Sequence, residues 1–142
     1  HREIAQRRDA AVLGLAAPLR AAAAQLDFDR VRGYLKGFMD LVFVADGALW
    51  LVDYKSNHLG DSVADYGHDA LAASIAREHY YLQYLIYFVA LRRYLAQRAP
   101  QLRLGGVRYL YLRGIDGSGA GVWCDAPGEA LLAQLDALFV AG

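Results

Sequence analysis

The chain has 142 residues, 56% of them hydrophobic and 21% charged, and its 15 basic and 15 acidic side chains cancel. That length fits one domain with a real core, and that hydrophobic content argues against disorder. No apolar run is long enough to span a membrane, the single Cys124 excludes a disulfide framework or a multi-Cys metal site, and the missing basic excess argues against a stand-alone nucleic-acid binder. A reducing, cytoplasmic setting is the expectation. The chain begins at His1 with no secretory pattern, which reads as a segment of something longer.

Residues 4–27 are rich in Ala and Leu and read as a helix weakened by Gly14 and Pro18. Residues 30–37, RVRGYLKG, read as a short strand. Arg32 and Lys36 on it are either phosphate contacts or solvated charges on an edge strand.

Residues 37–57, GFMDLVFVADGALWLVDYKSN, carry the chemistry. Asp46-Gly47 between two apolar runs is a strong signal for a two-residue hairpin turn. Such a turn sets Asp40 opposite Asp53, Val42 opposite Leu51 and Val44 opposite Leu49. Paired residues share a face of the sheet, and Lys55, two positions beyond Asp53, projects from that same face. Two carboxylates facing each other in an apolar setting repel and resist joint ionisation. A hard divalent cation held by both would compensate, and Mg²⁺ takes one or two carboxylates together with waters and phosphate oxygens. The alternative is that Asp53 pairs with Lys55 or a distant Arg while Asp40 points to water.

Ser56–Gly60 reads as a loop, and Ser62 with Asp65 resembles a capping box opening a helix over 63–78. Val63, Tyr66, Ala70 and Ile75 give that helix its apolar face. His68 and His79 stand alone and read as surface or core residues rather than ligands. Residues 79–98 form the strongest helix, apolar nearly all round as far as Leu91. Tyr81, Leu85, Phe88 and Leu95 make one face; Tyr80, Gln83, Tyr87 and Tyr94 make another. Gln83 and Tyr87 stand one above the other, either within an aromatic packing stripe or as polar tips aimed at the carboxylates. Gly105-Gly106 breaks to a strand Val107–Arg113. A Gly-rich connection at 114–121, a short strand Val122–Cys124 and a helix near 128–140 follow. That connection lacks the Gly-Lys-Ser/Thr ending of a phosphate cradle and reads as a hairpin loop.

An Asp followed on the next strand by Asp53-Tyr54-Lys55 fits the PD-(D/E)xK nuclease pattern. The ordered blocks GFMDLVF, LVDYKSNHLG, LQYLIY with ALRRYL, and GGVRYLYLRG resemble the nuclease domains of the RecB family, over about Val31 to Gly114. The resemblance implies an α/β restriction-endonuclease-like core: a mixed β-sheet with a central hairpin flanked by helices. It implies one nuclease domain over 1–142, with a helical lead-in at 1–29 and the core at 30–142, cut from a larger helicase–nuclease subunit.

Residue by residue, the resemblance implies Asp40 and Asp53 as metal ligands with the Tyr54 carbonyl as a third. Lys55 is implied as the catalytic lysine, and Gln83 and Tyr87 as the Q-x-x-x-Y motif at the active site. Arg32, Lys36 and Asn57 are candidate DNA contacts. The implied activity is Mg²⁺-dependent DNA hydrolysis of the exodeoxyribonuclease V type, with Mn²⁺ as a possible substitute. ATP would serve only a motor outside this chain. The implied partners are DNA and RecC- and RecD-like subunits, with no membrane. A catalytically decayed DNA-binding or assembly module is the alternative. Met39 stands where many members carry Pro. The metal-binding His that RecB nucleases carry upstream of the first Asp has no convincing match before Asp40.

Overall fold

A computed structural model describes residues 37–140. The expected helix at 4–27 and, apart from Gly37, the expected strand at 30–37 with Arg32 and Lys36 lie outside the described residues, as does the proposed lead-in at 1–29.

Asp46 and Gly47 both adopt positive φ, 51° and 68°, the backbone that a two-residue hairpin turn needs to match strand twist. Strands β1 (Leu41–Ala45) and β2 (Ala48–Lys55) therefore pair antiparallel, with Val42 on Leu51 and Val44 on Leu49. Strand β3 (Arg103–Tyr111) lies parallel to β2, and β4 (Val122–Asp125) pairs antiparallel with β3. The four described strands make one mixed sheet in the order β1-β2-β3-β4. Within the described sheet β1 is an edge strand and β2 is interior.

Strand β3 starts earlier than the glycine pair suggests and runs through it. A Cβ on Gly105 would lie 2.6 Å from the Trp50 ring, and the β2–β3 register shifts between Leu49 and Trp50. Glycine is required there because any side chain would run into the indole.

The expected helix over 63–78 is two pieces: a 3₁₀ turn at Val63–Tyr66 and helix α1 at His68–Arg77, separated by extended Gly67. The carboxylate of Asp65 accepts from both the backbone N–H and the hydroxyl of Ser62, at 2.9 and 2.8 Å. These two bonds hold its carboxyl below the usual carboxylate range. Tyr66 and Ile75 are buried as expected, whereas Val63 is exposed. Helix α2 (Tyr80–Arg98) follows directly, and helix α3 (Glu129–Val140) closes the described chain.

Helix α2 lies on the sheet because its apolar stripe meets the inward residues of β2, β3 and β4. Tyr81, Tyr84, Leu85, Phe88 and Leu95 pack with Leu51, Val107, Tyr109 and Trp123 in one core. Each such aliphatic or Phe side chain adds roughly 1.5–3 kcal/mol when withdrawn from water. The Tyr84 hydroxyl donates to Asp125 at 2.6 Å, so its burial leaves no orphaned polar atom. Arg92 and Arg93 of α2 pair with Asp136 of α3, and Arg92 also reaches Glu129. Tyr94, grouped by sequence on one face of α2 with Tyr80, Gln83 and Tyr87, is exposed.

Candidate active site

The period-two alternation of β2 turns Leu49, Leu51, Asp53 and Lys55 toward α2. The first two enter the core, and the last two end the strand as buried charges, 3% and 8% exposed. Burying charge is costly unless it is paired, and here the pairing is direct. Lys55 Nζ lies 2.5 Å from Asp53 Oδ1 and donates to Gln83 Oε1 at 3.0 Å. The ammonium also sits over two aromatic rings, 3.8 Å from the Tyr80 centroid and 4.8 Å from that of Tyr109. Such desolvated cation–π contacts are worth on the order of 2 kcal/mol.

Asp40 precedes β1 by one residue. Its Oδ2 accepts from the Tyr54 backbone N–H at 2.9 Å, which brings it beside the Asp53–Lys55 segment. Burial holds the Asp53 carboxyl above the usual carboxylate range; Lys55 pulls it down and the nearby Asp40 charge pushes it up. The Tyr54 side chain is exposed.

Gln83 and Tyr87 link the two acidic segments. Gln83 Oε1 accepts from Lys55, so its amide turns Nε2 toward the Tyr87 hydroxyl, 3.4 Å away. That hydroxyl donates to the Phe38 carbonyl at 2.6 Å. One helical turn of α2 thus spans from the lysine on β2 to the chain just before Asp40, which explains the four-residue spacing. Asn57 accepts from the Tyr80 hydroxyl at 3.2 Å and reaches the rim of the same cluster.

Sequence reasoning missed Tyr109 and gave Tyr80 no role. Tyr109 pairs with Asp53 across the parallel β2–β3 ladder, and its hydroxyl lies 3.1 Å from Gln83 Oε1. The alternation of Val107, Tyr109 and Tyr111 puts Tyr109 on the inward face, but nothing local gives the parallel register.

Residues 2–136 match the PD-(D/E)XK nuclease superfamily. The chain belongs to this superfamily. Its α/β architecture is therefore restriction-endonuclease-like, and the acid–acid–lysine cluster lies within a nuclease fold. The chain is 44% identical over 119 residues to the RecBCD enzyme subunit RecB of Haemophilus influenzae, covering 80% of this chain and 10% of that protein. It is 43% identical over 128 residues to the Escherichia coli RecB subunit, covering 86% and 11%. For the subunit of Mycobacterium tuberculosis strain CDC 1551 the figures are 41% over 136 residues, 87% and 12%. The chain spans about a tenth of the length of these curated relatives.

Members of this nuclease superfamily generally use divalent metal ions. Among the described residues no three His, Cys, Asp or Glu side chains converge. The carboxylates of Asp40 and Asp53 are hard oxygen donors that suit a small cation completing its shell with water. A buried acid held above its usual range by desolvation and a neighbouring acid is an environment that such a cation would relieve. The residues fit the ion.

Proposed function

We propose that this chain is the nuclease domain of a larger RecB-like subunit and that it hydrolyses DNA phosphodiester bonds in a Mg²⁺-dependent reaction, with Mn²⁺ as a substitute. The observation that carries this reading is the buried Asp53–Lys55–Gln83 contact set beside Asp40. Asp40, Asp53 and the Tyr54 carbonyl would hold the ion, which supplies Lewis-acid charge at the scissile phosphate when bound. Lys55 has three N–H donors; two reach Asp53 and Gln83. The third, which meets no oxygen acceptor among the described residues, is available to an attacking water or to charge developing on the phosphate. Gln83 holds the ammonium, and Tyr87 ties Gln83 to the Asp40 segment.

Asn57, with Arg32 and Lys36, would contact the DNA backbone. Because the chain carries no basic excess, strand delivery falls to RecC- and RecD-like subunits, with ATP consumed by a motor outside this chain. The described residues include no helix long and apolar enough to cross a membrane, and a cytoplasmic setting is part of the proposal. A decayed, non-catalytic module would have no need of the acid–acid–lysine set, which this sequence keeps.

The test is Mg²⁺-titrated cleavage of single- and double-stranded DNA by the protein in its full-length context and by its Asp53→Ala variant. The expected loss is on the order of a thousandfold; equal rates would end the reading. Tyr87→Phe should be milder. Removing its 2.6 Å bond to the Phe38 carbonyl costs about 1 kcal/mol of positioning. The expected result is a cleavage rate lower by about fivefold and a higher half-saturating Mg²⁺ concentration.

A further inference from the structure

Gln83 Oε1 is approached by two donors, the Lys55 ammonium at 3.0 Å and the Tyr109 hydroxyl at 3.1 Å. The single proton of that hydroxyl is shared in a three-centre bond between Gln83 Oε1 and the Tyr80 carbonyl, 2.9 Å away in the first turn of α2. Tyr109 itself is completely buried. The Lys55 ammonium sets which end of the amide faces it, and a second donor converging on the same oxygen restricts the rotation of the amide about that contact. The Tyr109 ring also flanks the ammonium, edge-on to the Tyr80 ring at a centroid separation of 5.9 Å.

We infer that Tyr109 is a positioning residue of this active site: its hydroxyl restricts rotation of the Gln83 amide, keeping Oε1 on Lys55 and Nε2 toward Tyr87, and its ring walls the ammonium against Asp53. It acts through Gln83 and Lys55 and touches no reacting atom. Burial drives its phenol well above the usual tyrosine range, and the Asp53 charge adds to the effect, so the hydroxyl stays a donor throughout the working pH range. Tyr111, two residues on, is equally buried but donates to Ser74 at 3.0 Å, outside the cluster. It supplies a matched control.

This inference rests on the nuclease reading, and the experiment separates the two. Single-turnover cleavage of DNA at saturating Mg²⁺ is measured for the wild type, Tyr109→Phe, Gln83→Ala, the double variant and Tyr111→Phe, all in the full-length protein. Tyr109→Phe keeps the ring and loses the donor. Its kcat should fall about tenfold with KM for DNA within about twofold, the scale of one lost hydrogen bond. Tyr111→Phe should stay within about twofold in both constants.

Because Tyr109 acts through Gln83, adding Tyr109→Phe to Gln83→Ala should cost less than about twofold more. An unchanged kcat in Tyr109→Phe, or a full tenfold further loss in the double variant, overturns the inference and leaves the nuclease reading standing. A wild type that does not cleave overturns both. Independently of any variant, the Gln83 Nε2 group should show side-chain order on the nanosecond scale comparable with rigid backbone by ¹⁵N relaxation, and a mobile amide overturns the inference.

Discussion

Replacing Asp53 by Asn is expected to abolish Mg²⁺ binding while leaving the fold in place. Asn keeps the shape of the side chain and an oxygen for Lys55, so the 2.5 Å contact becomes an ordinary hydrogen bond. What disappears is the charge that a dication needs. In the metal-free wild type this charge is held at a cost, because burial and Asp40 raise the Asp53 carboxyl against the pull of Lys55. Between the ordinary carboxylate range and that raised value the folded chain binds more protons than the unfolded one. Its contribution to stability therefore falls as pH rises through that window. The Asn variant should lack this dependence. It also leaves the Lys55 ammonium without a counter-charge, an opposing loss, so the melting temperatures of the two metal-free proteins should differ by only a few degrees.

Adding Mg²⁺ then distinguishes them. At ten times its dissociation constant, a bound ion stabilises the folded state by about 1.4 kcal/mol, or about 3–6 °C for a domain of this size. The wild type should show that shift and the Asn variant none, by thermal unfolding and by calorimetric titration. An equal shift in both would remove Asp53 from the ligand set.

The hairpin half of the cluster was legible because a two-residue turn leaves no freedom in register. Once Asp46-Gly47 is read as the turn, the facing pairs follow, and the period of two places Lys55 with Asp53. The spacing of Gln83 and Tyr87 likewise gave one helical face, although it could not tell a packing stripe from a polar link. That distinction lies in the Phe38 carbonyl and in Lys55, both far away in sequence.

What the sequence hid was set by partners distant along the chain. The register of β3 on β2 depends on a long crossover and on Trp50 lying against Gly105, so Tyr109 had no visible link to Asp53. The break at Gly67 has a similar origin. Tyr66 is buried, its hydroxyl accepts from the Leu59 N–H, and its carbonyl accepts from the Gly121 N–H. Those contacts hold the 3₁₀ turn where it is, while the apolar spacing alone continues smoothly into α1.

Lys55→Met should separate chemistry from metal binding. Methionine retains most of the unbranched stem and places a polarisable sulfur between the Tyr80 and Tyr109 rings, where sulfur–aromatic contact replaces part of the cation–π attraction. The Tyr109 hydroxyl still holds Gln83. Two things are lost: the N–H donor available to the reacting phosphate, and the positive charge that balances Asp53. The first predicts a fall in single-turnover cleavage on the order of a thousandfold. The second leaves a buried carboxylate uncompensated, a situation that costs about 3–5 kcal/mol when one partner of a buried pair is removed. A dication on Asp40 and Asp53 replaces that missing charge. The variant should therefore melt well below the wild type without Mg²⁺ and recover most of the difference with it, showing a larger Mg²⁺-dependent shift than the wild type. Cleavage close to the wild-type rate would remove Lys55 from the chemistry. A variant as blind to Mg²⁺ as Asp53→Asn would mean that the lysine, and not the pair of acids, organises the site.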